Sequence, residues 1–404
     1  MPDSSSSLHL AVALDGAGWH PAAWREPDAR PAELFDAGYW ADLAAEAERG
    51  SLDFVTIEDS LTMQSEQSDN FFEPDDRIDR VRGRLDAVLI AARISPRTQQ
   101  IGFVPTATVT HTEPFHVSKS IATLDYVSTG RAGVRVQISA RPDAAAHFGR
   151  RDLPRLSPDW INDPAGQQLI DELFAETADY VEVLRRLWDS WEDDAEIRDV
   201  ATGRFIDRDR LHYIDFEGRW FSVKGPSITP RPPQGQPIVA VLGHGGRSYE
   251  LIAGSADVGF VTPHNAAQVA DIVGEIRALQ WAAGRSRETL HIFGDMVVFL
   301  DDTPQEAQAR RRRLDDLAGY EYRSDAEIFA GTAAQLADLL EERHADGLSG
   351  FRLRPAALPH DLGQITEYLV PELRRRGLFR TAYEADTLRG LLGLTHPANR
   401  YQAA

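Results

Sequence analysis

The segment VAVLGHGGRSYE, residues 239–250, carries the most readable local chemistry in the chain. An apolar strand pattern runs into Gly243, His244, Gly245 and Gly246, and a helical pattern begins at Arg247 or Ser248. Glycines let backbone N–H groups turn toward an anion, and a helix N-terminus adds a favourable partial charge. Arg247 is placed to add a bidentate contact to a phosphate. The Lys-Ser/Thr of a Walker loop is missing, and Ser248 stands at the third glycine position of a dinucleotide fingerprint. Two readings remain: a phosphate cradle of its own kind, or a tight strand-to-helix turn that needs small residues.

Other polar residues gather where apolar runs end. FVTIEDS places Glu58 and Asp59 after one strand pattern, and VPTATVTHTEP places Thr106, Thr108, Thr110 and His111 after the next. A third run ends with Arg135, Gln137 and Ser139. A buried parallel strand is normally apolar throughout, so Arg135 and Gln137 need a strand end that faces something polar. On this reading His111 and Arg135 are the candidates for catalytic work. Asp59, Thr106, Thr108, Arg135, Gln137, Gly243, His244, Gly245, Gly246 and Arg247 are the candidates for holding a cofactor. A strand-end aspartate is also a common helix N-cap, which is the plainer role for Asp59. Metal chemistry is not expected: there is no HExxH, and the twelve histidines show no ligand spacing. The GxSxG of a serine hydrolase is missing, and the chain has no cysteine. Only Lys119 and Lys224 stand against forty-one arginines, so Schiff-base chemistry would have to use one of those two.

Strand-like runs alternate with helical patterns along the whole chain and must position these residues. The strands are expected at 8–14, 53–57, 100–104, 132–139, 237–242, 257–261, 291–300 and 350–353. Each is followed by a helical pattern, at 31–49, 84–94, 115–124, 166–191, 247–253, 266–282, 304–317 and 362–376. Eight strand–helix units imply an α/β fold with a parallel sheet, and the number eight points to a TIM (β/α)8 barrel, whose strand ends meet at one mouth. Periodicity alone leaves an open doubly wound sheet as the alternative. The irregular stretches near 60–79, 141–164 and 192–236 exceed ordinary connections of about 2–6 residues, so we read them as insertions in one domain spanning 1–404. Insertions of this kind usually build a binding mouth or a subunit contact, with passive surface decoration as the alternative.

With 404 residues, 42% of them apolar, the chain can bury a large core. Its net charge of −20 disfavours nucleic acid and anionic membrane as partners. No run approaches the ~20 apolar residues of a membrane span, and MPDSSSSLHLAVAL lacks the positive start of a signal peptide; a soluble cytoplasmic protein is expected.

The run GFVPTATVTHTEPFHVSKSIATLDYVSTGRAG, residues 102–133, resembles the luciferase-like flavin-dependent monooxygenases, in the branch of the nitrilotriacetate and dibenzothiophene-sulfone enzymes. SLDFVTIEDSL (51–61), LWDSWEDDA (187–195), FSVKGPSITPRPPQGQP (221–237) and VPELRRRGLFRTAYEADTLRGLLGL (370–394) extend the resemblance in order over nearly the whole chain. The resemblance implies a TIM barrel that binds FMNH2 delivered by a separate flavin reductase. It implies oxygenation of a small organic substrate by O2 through a flavin C4a-hydroperoxide, in a homodimer or dimer of dimers. It makes Asp59 the aspartate near the flavin ring, and Thr106 and Thr108 the family's third-strand element. Gly243–Gly246 stand at its phosphate turn. The family's fourth strand carries an asparagine where this chain has Arg135, and its phosphate-binding His and Arg-Tyr appear here as Ile170, Leu173 and Phe174. The phosphate-turn serine is replaced by His244 or Gly245. Each lost donor weakens phosphate binding by about 1–3 kcal/mol unless Arg135, Arg247 or an arginine of 141–155 replaces it. These departures keep two alternatives open: an F420-dependent hydride-transfer enzyme, and a non-catalytic barrel serving as a binding or partner subunit. The helical segment 180–191, with Val181, Val183, Leu184, Leu187, Trp188 and Trp191, is a candidate subunit contact or else packs on its own barrel.

Overall fold

Apolar runs bounded by glycine and proline become the staves of a closed barrel in the computed structural model, which describes residues 7–63, 77–156, 159 and 162–402. The staves are β1 (His9–Leu14), β2 (Phe54–Ile57), β3 (Gly102–Thr108), β4 (Gly133–Gln137), β5 (Ile238–Leu242), β6 (Val258–Val261), β7 (His291–Leu300) and β8 (Gly350–Pro355). Each pairs in parallel with its neighbours in chain order; β8 pairs with β1, and β6 with β7, so the ring closes. Because every pairing is parallel, all C-terminal ends open at one mouth. Asp59, Thr106, Arg135 and Gly243 share that side, as expected for a barrel, and Thr106 lies directly opposite Arg135 in the β3–β4 register.

The helices α1 (Ala37–Arg49), α2 (Ala87–Ile94), α3 (Pro114–Val127), α4 (Pro164–Asp189), α5 (Arg247–Ser255), α6 (Ala266–Ala282) and α7 (Pro304–Ala318) surround the ring. Local chemistry sets their starts. Asp163 accepts N–H bonds from Ala165 and Gly166, and proline occupies the first turn of α4, where a missing N–H costs nothing. Between β7 and β8 a further strand and helix are inserted. The strand Glu327–Gly331 pairs with the outer half of the ten-residue β7, and the helix Ala333–Ala345 follows it with a Thr332/Gln335 capping box. β3 also runs farther than the sequence pattern implies, so Thr106 and Thr108 lie inside the strand.

The segment 180–191 is core. Tyr180, Val181, Val183, Leu184, Leu187 and Trp188 are buried within the chain, partly against Ile214 and Phe216 from the 192–236 insertion. Of the two readings of this segment, the structure shows the packing on its own chain. Much of the 60–79 insertion lies outside the described residues. No helix among the described residues is long and apolar enough to cross a membrane.

The barrel floor is apolar. Phe54 of β2 packs 5.8 Å from Phe293 of β7 and 6.3 Å from Phe260 of β6, ring centroid to centroid. These strands are not neighbours, so the rings meet inside the barrel. Leu388, Leu392 and Leu394 from the C-terminal segment join the same cluster and close the bottom.

Candidate active site

Period-two alternation carries the interior positions upward from Phe54 to Thr56 and Glu58. On β4 they are Arg135 and Gln137, on β7 Asp295, and on β8 Arg352 and Arg354. The apolar floor therefore gives way to a layer of charge. Arg135 donates to Glu58, to Thr106 Oγ1 at 3.0 Å and to Gln137 Oε1 at 3.1 Å. Arg352 reaches Glu58 Oε1 at 3.4 Å and donates through Nε to Asp295 Oδ1 at 2.9 Å. Arg354 donates to Asp295 Oδ2 at 3.0 Å and to Asp325 Oδ1 at 2.6 Å. His244 Nε2 lies 3.7 Å from Asp325, so the chain of charges runs from the barrel axis to the glycine turn at its rim.

All five central members, Glu58, Arg135, Asp295, Arg352 and Arg354, are buried. Charges in such a place persist only when paired. Burial pushes the Asp295 carboxyl up, but Arg352 and Arg354 outweigh it and hold the group below its ordinary value. Burial lowers the Arg135 guanidinium to about 10 against the pull of Glu58, and it remains a cation near neutrality. The Arg352 guanidinium also stacks 4.2 Å over the Phe260 ring, tying the charged layer to the apolar one below.

Several expected site residues turn out to have protein partners. Arg135 meets Glu58 rather than an open ligand site. The Asp59 carboxylate accepts N–H bonds from Ser60 at 2.7 Å and from Ala87, the first residue of α2, at 3.0 Å; it supports the start of that helix beside the N-cap Asp86, and burial raises its pKa. Arg247 is exposed and holds Asp171 at 2.9 Å and Glu250 at 2.8 Å. Gln137 donates to the Asp59 carbonyl at 3.3 Å. In the glycine turn, the N–H groups of His244 and Gly245 both donate to Ser248 Oγ, at 2.9 and 3.2 Å. Gly245 and Gly246 adopt φ of +131° and +50°, with open space where a side chain would stand, and α5 has no side-chain N-cap.

Other groups are left without partners. Thr108 Oγ1 and His111 Nε2 are buried and make no hydrogen bond. His111 stacks on Phe148 at 5.5 Å, while Thr110 Oγ1 accepts the Ser139 N–H at 2.9 Å.

The model of the luciferase-like monooxygenase family matches residues 17–362. The chain belongs to that family. It is similar to N-acetyl-S-(2-succino)cysteine monooxygenase of Bacillus subtilis (strain 168), at 30% identity over 99% of this chain and 100% of the relative. It is 28% identical to nitrilotriacetate monooxygenase component A of Aminobacter aminovorans, over 98% of each chain. The solved EDTA monooxygenase from Chelativorans sp. BNC1 shares the fold at a TM-score of 0.83 and 22% identity, over 97% of this chain and 99% of that one.

In this luciferase-like monooxygenase, the mouth brings together Thr108, Gln137, Gly243–Gly246 and the charged layer. Sequence reasoning passed over Asp295, Asp325, Arg352 and Arg354. The signal for the last two is in GFRLRP, where arginines alternate with apolar residues inside a strand-length run. Ser248, which caps the glycine turn, was visible as a missing glycine rather than as a working hydroxyl.

Proposed function

We propose that this chain is the oxygenating component of a two-component system. It receives FMNH2 from a separate reductase and uses it with O2 to place one oxygen atom in a small organic substrate. The reading is carried by one observation: the C-terminal end of the barrel holds both a buried Thr108 hydroxyl with no partner and the uncapped N-terminus of α5 with its glycine turn. A flat ring with a hydrogen-bonding edge and an anionic tail needs those two features together. Thr108 and Gln137 would hold the ring edge, and the N–H groups of Gly246 and Arg247 would face the phosphate. Arg247 would reach it by leaving Asp171 and Glu250, exposed partners worth at most about 1 kcal/mol each. The relative named as a component A supports a partner reductase for this chain.

Bound FMNH2 supplies the two electrons that activate O2; one oxygen atom enters the substrate and the other leaves as water. The chain's own residues supply the setting. The ion-paired layer below the mouth is fixed before any ligand arrives, so its dipoles need not reorganise during reaction. Its filled interior also keeps water from entering through the barrel axis.

Anaerobic titration of the full chain with FMNH2, FMN and F420 tests the reading. Tighter binding of FMNH2 than of FMN, with no binding of F420, is the expected result. Preference for F420 would replace oxygenation by hydride transfer, and no binding of any of the three would leave a non-catalytic barrel.

A further inference from the structure

Beside the mouth lies a separate cavity of about 210 Å³, between the end of β3 and helix α4. The 141–164 segment supplies Phe148, Arg150 and Arg151 to its wall, and the 192–236 segment supplies Trp220 and Phe221. Two insertions that lie far apart in sequence thus close on one space. We propose that this cavity is the substrate subsite and that it selects a small molecule with an apolar body and a carboxylate.

Size comes first. The volume falls below the roughly 300–1,000 Å³ of sites for drug-sized ligands, which leaves room for a single ring or a short chain beside the cofactor. Phe148, Trp220 and Phe221 supply the apolar part of a wall that is otherwise polar.

Donor bookkeeping then fixes the charge. His111, 5% exposed, lines the cavity and makes no hydrogen bond through either ring nitrogen. Burial, reinforced by Arg151, lowers its pKa, so it offers a neutral ring. Arg151 spends two N–H groups on Glu176, at 2.7 Å for the first, and this half-buried pair is part of the wall. Arg150 is more than half exposed and spends one N–H group on the equally exposed Glu113. A guanidinium carries five N–H donors, so most of those on Arg150 are unspent. The hydroxyls of Thr110 and Thr112 are already engaged, by the Ser139 N–H and by Tyr180 Oη. Glu113 and Glu176 in the same wall are already ion-paired with Arg150 and Arg151, and Arg150 keeps most of its N–H groups to offer a ligand. A ligand carboxylate can take the planar fork of Arg150 in two parallel bonds, displacing an exposed partner that contributes little.

The proposal rests on the oxygenase reading for the word substrate, but the binding it describes requires no flavin. Phenylacetate, phenylacetamide and phenethylamine, titrated into the full chain and followed by tryptophan fluorescence, test it. Phenylacetate is expected to bind saturably, with the amide and the amine each roughly tenfold or more weaker. Arg150→Gln should weaken phenylacetate by about the same factor, leave the melting temperature and FMNH2 affinity unchanged, and be partly rescued by Arg150→Lys. No saturable binding of phenylacetate, equal binding of the amide or amine, or an unaffected Arg150→Gln variant would each overturn it. If phenylacetate binds as expected and FMNH2 does not, the oxygenase reading falls while the subsite stands; FMNH2 binding without phenylacetate binding removes the subsite alone.

Discussion

Arg135 occupies a core strand because Glu58 is there to meet it. From sequence, a lone arginine in GVRVQIS pointed outward to an anionic ligand; the partner sits 77 residues away, and no spacing rule connects them. The consequence reverses the ligand-centred expectation. Arg135→Leu leaves Glu58 buried with only the long contact to Arg352, and should destabilise folding by about 3–5 kcal/mol. Removing both charges in Glu58→Leu/Arg135→Leu should cost less than the sum of the two single changes, because neither variant charge is then stranded. Urea unfolding of the four proteins measures this, and additive losses would mean the pair is not coupled. The same logic separates the visible from the hidden among the other candidates. Gly245 and Gly246 were legible because their backbone needs left-handed φ, whereas the bond from Ala87 to Asp59 depends on where Ala87 falls in space.

At the scale of elements, the eight strand–helix units were readable because each strand is a short apolar run with its own following helix. The strand Glu327–Gly331 was not, since EIFAG is short and half-buried and pairs with β7 only beyond the barrel wall. The C-terminal plug was equally hidden, because closing a barrel floor requires no periodicity. Its seating gives two predictions. A side chain added at Gly102 would stand 2.6 Å from Leu388 Cδ1, so Gly102→Ala should cost about 1–3 kcal/mol, and Leu388→Ala should relieve part of that penalty in the double variant. The second concerns His291, which hydrogen bonds to the Leu392 carbonyl at 2.8 Å through Nε2. Burial, with His9 nearby, lowers its pKa from 6.5 to about 4. The unfolded chain takes up this proton near its ordinary pKa and the folded chain only near 4, so stability is lost as pH falls through that window. The slope is at most about 1.4 kcal/mol per pH unit. His291→Leu should be less stable at neutral pH for want of the hydrogen bond, yet lose less than the parent between pH 6.5 and 4.5. Denaturant unfolding at both pH values decides it, and identical slopes would place His291 outside the linkage.

Across the whole molecule, the net charge of −20 and the abundance of arginine pull in different directions. Arginines close to carboxylates form contacts near 3 Å, both in the barrel interior and across the surface, as with Arg247 and Asp171. The excess acidic charge repels itself over much longer distances. Salt distinguishes the two, because the Debye length is about 10 Å at 0.1 M: separations beyond it are screened, while a contact at hydrogen-bond distance is screened much less, and a buried one least. Exposed pairs contribute only about 0–1 kcal/mol each, so their partial screening subtracts little. Relief of the long-range repulsion should therefore win, and the folded state, being the more compact distribution of charge, gains most from it. The melting temperature should rise as sodium chloride is increased from low ionic strength and level off once the Debye length falls below the spacing between surface charges. Arg135→Leu, whose defect is buried, should melt lower than the parent by a margin that salt does not change. Calorimetric melts of both proteins across the salt series measure the two effects separately. A melting temperature that falls with salt would mean that surface ion pairs, and not net repulsion, govern the stability of this barrel.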